Sequence, residues 1–203
     1  MRVLVLPKEA YPNNRVWLSH LFEKEFANLG HELIWVMYSN IFSDDLKIIS
    51  KQNNTFYIIK KKEERNLIDA LKNKFLFIKK YFLCKKLIMD NKIDIIQTTD
   101  GILEGLIGVF LSKKFKIPST FFLSVFFYEV SKANWHTQKE FKTMIKYLVA
   151  LISKPFYLYI IKNVTQFQPV NKWAGKYFKS KGFNLNFFPL PMSGLDTFLN
   201  SNE

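Results

Sequence analysis

Arg2-Val3-Leu4-Val5-Leu6, then Pro7-Lys8-Glu9-Ala10-Tyr11-Pro12-Asn13-Asn14, then a helical pattern from Arg15 to Leu29 closed by Gly30, then Leu33-Ile34-Trp35-Val36-Met37: this order decides the fold. An unbroken apolar run has no exposed face, so Val3 to Leu6 reads as a strand buried on both sides. Trp17, Leu18, Leu21, Phe22, Phe26 and Leu29 recur at spacings of three and four and give the helix one apolar face. Asn13 or Asn14 suits its N-cap and Gly30 its C-cap. Strand, helix and strand in this length form one right-handed βαβ unit. Ligands of such sheets bind beyond the carboxyl ends of the strands, so the turn from Pro7 to Asn14 is the first place to look for function.

The same alternation continues. Thr55 to Ile59 reads as a strand and 66–91 as a long helix whose Leu67, Leu71, Phe75, Ile78 and Phe82 should face the sheet. Lys72, Lys79 and Lys86 form a basic stripe elsewhere on it. Ser43-Asp44-Asp45 has the character of a cap for a short helix. Ile93 to Gln97, Ser119 to Val125, Gln166 to Val170 and Asn186 to Leu190 read as further strands, with helices at 102–115 and 172–181 between them. The expected architecture is α/β: a Rossmann-like three-layer α/β/α sandwich on a mostly parallel sheet of about seven strands. Residues 1–190 would form the domain, and 191–203 would begin a linker.

Composition narrows the function classes. The chain has 203 residues, 48% of them apolar, enough for a substantial core. Thirty basic residues against seventeen acidic give a net charge of +13, which either reflects compositional bias or points to an anionic partner. The single cysteine, Cys84, fits a reducing compartment and, in its apolar helical setting, a buried thiol. The first apolar run is too short for a secretory leader. His20 has no second ligand at metal spacing, and no metal is expected. No helix-turn-helix, zinc or aromatic-strand signature points to nucleic acid.

Several residues stand where chemistry could occur. Asp100 lies between a strand end and a helix start, either as an N-cap or as a carboxylate that orients a hydroxyl or phosphate. Gly101, Gly105 and Gly108 allow close helix–sheet packing but form no dinucleotide fingerprint. Phe126-Phe127-Tyr128-Glu129 could stack on a sugar or lipid, or could plug the core, and Ser131 to Thr137 reads as a polar loop. In the helical region from about Gln138 to Lys162, Phe141, Ile145, Leu148 and Val149 form an apolar face and Lys139, Lys142 and Lys146 a basic one. Pro155 should break or kink it. Such a helix suits a membrane surface, or covers the sheet.

The order of motifs resembles the N-terminal half of GT-B glycosyltransferases, family 4 in particular. Leu29-Gly30-His31-Glu32-Leu33 looks like the family's L-x-x-x-G-H-E-V turn, and Ile93-Asp94-Ile95-Ile96 like its P-D-V-I-H strand. Ile117-Pro118 and the strand after it look like I-P-V-V, and Phe188 to Asp196 like the I-P-N-G-V-D exit into a second domain. The resemblance implies the acceptor-binding half of a retaining transferase. The whole enzyme would move a sugar from a nucleotide diphosphate to a glycan or lipid-linked acceptor in polysaccharide biosynthesis. The donor would bind chiefly to a C-terminal domain or separate subunit, and this half would hold no cofactor and by itself be inactive. It also implies a cleft wall made by Lys8, Glu9, Tyr11, Asn13, Asn14 and Arg15 with Asp100, Gly101, Ser124, Tyr128 and Glu129. Lys8 and Arg15 would meet phosphate, and Glu9, Asp100 and Glu129 would hold acceptor hydroxyls. Two departures stand out: the first loop lacks a glycine pair, and Ser124 stands where many members have histidine. The alternative is a non-catalytic α/β subunit that recruits or membrane-anchors a catalytic chain. Either would be cytoplasmic, with Lys139, Lys142 and Lys146 placing it against the inner membrane face.

Overall fold

The computed structural model describes residues 1–12, 23–63, 67–124, 126–169 and 172–183. Along the chain these form β1 (Arg2–Leu6), β2 (Glu32–Ser39), β3 (Leu46–Lys51), β4 (Asn54–Lys60), α1 (Leu67–Asp90), β5 (Ile95–Thr99) and α2 (Ile102–Phe115). They continue as β6 (Ser119–Leu123), α3 (Phe127–Gln138), α4 (Phe141–Asn163), β7 (Gln166–Pro169) and α5 (Lys172–Ser180). Residues 23–28 are the helical end of the β1–β2 connection. The expected helix start, Asn13, Asn14, Arg15 and His20, lies outside the described residues, as do the expected strand Asn186 to Leu190 and the linker at 191–203.

The seven strands form one sheet in the order β3-β4-β2-β1-β5-β6-β7. Every pairing is parallel except β3 with β4. β1 shows why the apolar runs are continuous: Val3 and Val5 face one layer, Leu4 and Leu6 the other. Leu4 and Leu6 pack with Ile34, Val36 and Ile96 beneath α1 and α2, through Cys84, Leu87, Ile107 and Leu111. Val3 and Val5 pack with Trp35, Met37, Phe56 and Ile58 beneath Ala27. A third cluster joins Phe121, Leu123 and Phe167 of the sheet to Tyr157, Ile160 and Ile161 of α4 and Phe178 of α5. This is the expected Rossmann-like α/β/α arrangement.

Four local expectations are corrected. Ser43-Asp44-Asp45 caps no helix. The chain instead enters β3 and returns as β4 through a tight turn at Gln52, which has φ of 53°. β3 is an exposed edge, so it lacks the apolar run that marks the inner strands; Lys47 and Lys51 guard it. On α1, Phe75, Ile78 and Phe82 point outward. The buried stripe is Lys80, Cys84, Leu87 and Ile88, one helical face away. Lys79 and Lys86 of the expected basic stripe are exposed. The polar segment Ser131 to Thr137 is helical, within α3, and Lys139 in the left-handed region closes that helix and separates it from α4. Pro155 does not end α4, which runs on to Asn163.

Gly108 shows why α2 sits so close to the sheet. A Cβ there would lie 2.4 Å from Thr98 Cγ2, so only glycine permits this approach. Gly105 does the same against Ile160 of α4, where a Cβ would meet Cδ1 at 2.8 Å.

Candidate functional site

Strand order reverses between β1 and β5: from β1 the chain builds outward to β2 and β4, then crosses back to β5, β6 and β7. At such a switch the loops leaving the two central strands diverge and open a crevice at their carboxyl ends. Leu6 pairs with Thr98 there, so Pro7–Glu9 and Asp100–Gly101 form the two lips. The Lys8 backbone N–H donates to Thr99 Oγ1 at 3.3 Å, and the Thr99 hydroxyl donates to the Glu9 carboxylate at 3.3 Å. Glu9 is thereby turned onto β5, while the Lys8 side chain is exposed at the mouth.

Asp100 occupies the strained point of the second lip, with φ of 44°. It does not cap α2. Gly101 holds the N-cap position, and no side-chain cap bond forms. The Asp100 backbone N–H donates to Phe122 O at 2.8 Å and the Asp100 carbonyl accepts from the Tyr157 hydroxyl at 2.9 Å. The carboxylate accepts from Ser124 twice, from the backbone N–H at 2.6 Å and from the hydroxyl. Asp100 and Ser124 are both buried. Burial first, then the carboxylates of Asp100 and Glu104, push the Tyr157 phenol up to about 12, so it stays a donor. Lys8, Asp100, Ser124, Phe127, Ser153 and Tyr157 border a cleft of about 210 Å³. It offers an exposed ammonium at the rim, a fixed carboxylate and serine hydroxyl at the floor, and an aromatic wall. A carboxylate holding two donors keeps further lone pairs, so Asp100 can still accept from a ligand's hydroxyl.

A buried ion pair supports the lips from below. Lys80 of α1, fully buried, donates to Pro7 O at 3.0 Å and to Glu104 Oε1 at 3.1 Å. Its ammonium also lies 4.7 Å from the centre of the Tyr38 ring. Sequence reasoning missed Lys80, Glu104 and Tyr157. The signal for Lys80 was present: it lies four residues before Cys84 and seven before Leu87, on the stripe that is buried.

Tyr11 is drawn away from the cleft. Its ring packs 5.4 Å from Phe56 and its N–H donates to Tyr38 O at 2.7 Å. Gly101 sits on the second lip, where a Cβ would meet the Glu104 carboxylate. Tyr128 and Glu129 belong to a different cavity of about 330 Å³, bordered also by Lys132, Lys154, Tyr177 and Lys181. There Lys154 Nζ lies 4.0 Å from the Tyr128 ring centre, and the Tyr177 hydroxyl donates to Glu129. Phe126 packs in the aromatic cluster with Tyr157 and Phe178, as a core plug does. Among the described residues no cluster of histidine, cysteine, aspartate and glutamate could hold a metal.

No family model and no curated protein sequence matches the chain. Solved structures do. Sucrose-phosphate synthase from Thermosynechococcus elongatus superposes with a TM-score of 0.64 at 12% identity, over 93% of this chain and 48% of that one. Arabidopsis thaliana UGT89C1, complexed with UDP, gives 0.53 at 12% identity, over 99% and 57%. UDP-GlcNAc 2-epimerase from Methanocaldococcus jannaschii gives 0.50 at 14%, over 93% and 45%. The chain thus spans about half the length of these neighbours. At such identities the likeness is one of architecture, and the neighbours include an epimerase beside the transferases, so architecture leaves the reaction open. What the comparison establishes is the fold: a Rossmann-like α/β unit of the kind found in GT-B glycosyltransferases.

Proposed function

We propose that this chain is the acceptor-binding half of a retaining glycosyltransferase that moves a sugar from a nucleotide diphosphate to a glycan or lipid-linked acceptor. One observation carries the reading. The switch-point cleft presents a buried carboxylate fixed by Ser124 beside the exposed Lys8, on a fold shared with neighbours of which two were solved with UDP or a UDP sugar. In this reading Asp100 accepts from an acceptor hydroxyl and Ser124 keeps that carboxylate aimed. Lys8 meets the acceptor's or donor's phosphate at the rim. The leaving diphosphate is stabilised mainly by cations and backbone amides of the donor-binding half.

The test is a nuclear magnetic resonance titration of the chain with oligosaccharides from its native source and, separately, with UDP-glucose. Expected are shifts of the Asp100 and Ser124 amides with oligosaccharide, weakened about tenfold in Asp100→Asn by loss of a charge-assisted hydrogen bond. Shifts with UDP-glucose alone would make this the donor side, and no shifts with either would remove the reading.

A second reading is a non-catalytic subunit that recruits or anchors a separate catalytic chain, with the same cleft serving as its binding site. Purification from the native source separates the two. A co-purifying transferase chain supports the subunit, and a single polypeptide about twice this mass supports the enzyme half.

A further inference from the structure

α4 is apolar on two opposite faces. Inward, Ala150, Tyr157, Ile160 and Ile161 are buried, and the Tyr157 hydroxyl holds Asp100 O. Outward, Phe141, Ile145, Leu148, Ile152, Phe156 and Tyr159 are between 40% and 73% exposed. Their spacing of three and four places them in one stripe, about 27 Å long at the helical rise. α4 is long and apolar enough to cross a membrane by composition. Its packing argues against a crossing, because its inner face is bound into the third core cluster.

The rim of the stripe is mostly cationic, with exposed Glu140 at the N-cap an acidic exception. Exposed Lys142 and Lys146 lie along one side, with Lys139 just before the helix and exposed Lys162 near its end. Neighbouring α2 adds exposed Leu103 and Phe110, and its Lys113 ammonium lies 5.5 Å from the Tyr159 ring centre. α4 itself carries no acidic side chain. A second copy docked here would set lysine against lysine, a like-charge juxtaposition that opposes pairing. An anionic lipid surface meets both features, taking the apolar stripe below its headgroups and the ammonium groups at phosphate level.

We propose that the outward face of α4, rimmed by Lys139, Lys142, Lys146 and Lys113, docks this protein in the plane of an anionic bilayer. The inference rests on this surface alone and stands whether or not the transferase reading holds.

The experiment is co-sedimentation of the chain with vesicles of phosphatidylcholine alone and of phosphatidylcholine with phosphatidylglycerol, at low and physiological salt. Binding is expected only with phosphatidylglycerol, weaker at the higher salt. Ile152→Glu should lower it about tenfold or more by placing a charge in the apolar stripe. Lys142→Glu with Lys146→Glu should do likewise without touching apolar contacts, and so decides the matter should Ile152→Glu fail to fold. Absence of binding, equal binding to both vesicles, or unchanged binding by the lysine pair would overturn the proposal. So would a dimer in analytical ultracentrifugation that Ile152→Glu dissociates, since the stripe would then be covered by a second copy.

Discussion

Lys80 and Glu104 form an ion pair of 3.1 Å with essentially no access to water, and the same ammonium holds Pro7 O at the end of β1. Three segments remote in sequence thus meet at one charge. Removing one partner strands the other in a dry interior. Lys80→Met should therefore cost about 3–5 kcal/mol in urea unfolding. Lys80→Met combined with Glu104→Leu should cost less than Lys80→Met alone. A double variant no more stable than the single one would show that the pair does not act as a unit.

Gly108→Ala tests the closeness of α2 to the sheet. The new methyl would meet Thr98 Cγ2 at 2.4 Å, with Thr98 fixed by its hydroxyl bond to Thr120 O. Overpacking of this kind costs about 1–3 kcal/mol. Gly105→Ala meets Ile160 Cδ1 at 2.8 Å, its Cγ2 at 3.0 Å and Phe121 Cε2 at 3.2 Å, each longer than the Gly108 clash, and the gain in helix propensity offsets part of its strain. Thermal denaturation should rank Gly108→Ala below Gly105→Ala, and the reverse order would contradict the packing described.

Cys84 has no exposed surface, and burial pushes its thiol up to about 12. Thiolate is the reactive form, so the native protein should resist a thiol reagent at neutral pH. Labelling followed by mass spectrometry should give modification only at the rate of global opening, accelerating through the urea transition. Rapid labelling in native buffer would mean that α1 opens locally.

Tyr157 gives an alkaline signature. Its folded-state value, about 12, lies above the ordinary 10.0. Between those values the unfolded chain loses the phenolic proton before the folded one does. The stabilising contribution is therefore complete below pH 10 and lost as pH rises toward 12. Tyr157→Phe should be less stable than the parent at pH 8, and the gap should narrow above pH 10. A constant gap would remove the assigned role of the hydroxyl.

Legibility from sequence followed burial on both sides. β1, β2 and β4 to β6 announce themselves as apolar or β-branched runs because each is an inner strand, whereas β7, Gln166–Pro169 at the other edge, shows only alternating burial. β3 has one neighbour and an exposed surface, so its pattern resembles a polar loop. On α1 the conspicuous aromatics drew the apolar face to Phe75, Ile78 and Phe82, whereas the face actually buried includes a lysine. A hydrophobic pattern passes over a charged residue, so Lys80 is legible only through its spacing to Cys84 and Leu87, and its partner Glu104, from another helix, only in the structure. Asp100 was marked by its position, but its engagement with Ser124 depends on the register of β5 with β6, which Thr99 opposite Phe122 sets.

α4 leaves little room for drift in length. Each residue turns the helix by about 100°, so a one-residue insertion near Lys154 would rotate everything after it by more than a quarter turn. Tyr157 would leave Asp100, and Phe156 and Tyr159 would leave the outer stripe, in the same step. Relatives that share this architecture should therefore conserve the spacing between Ala150 and Ile161 more strictly than the identity of any residue within it.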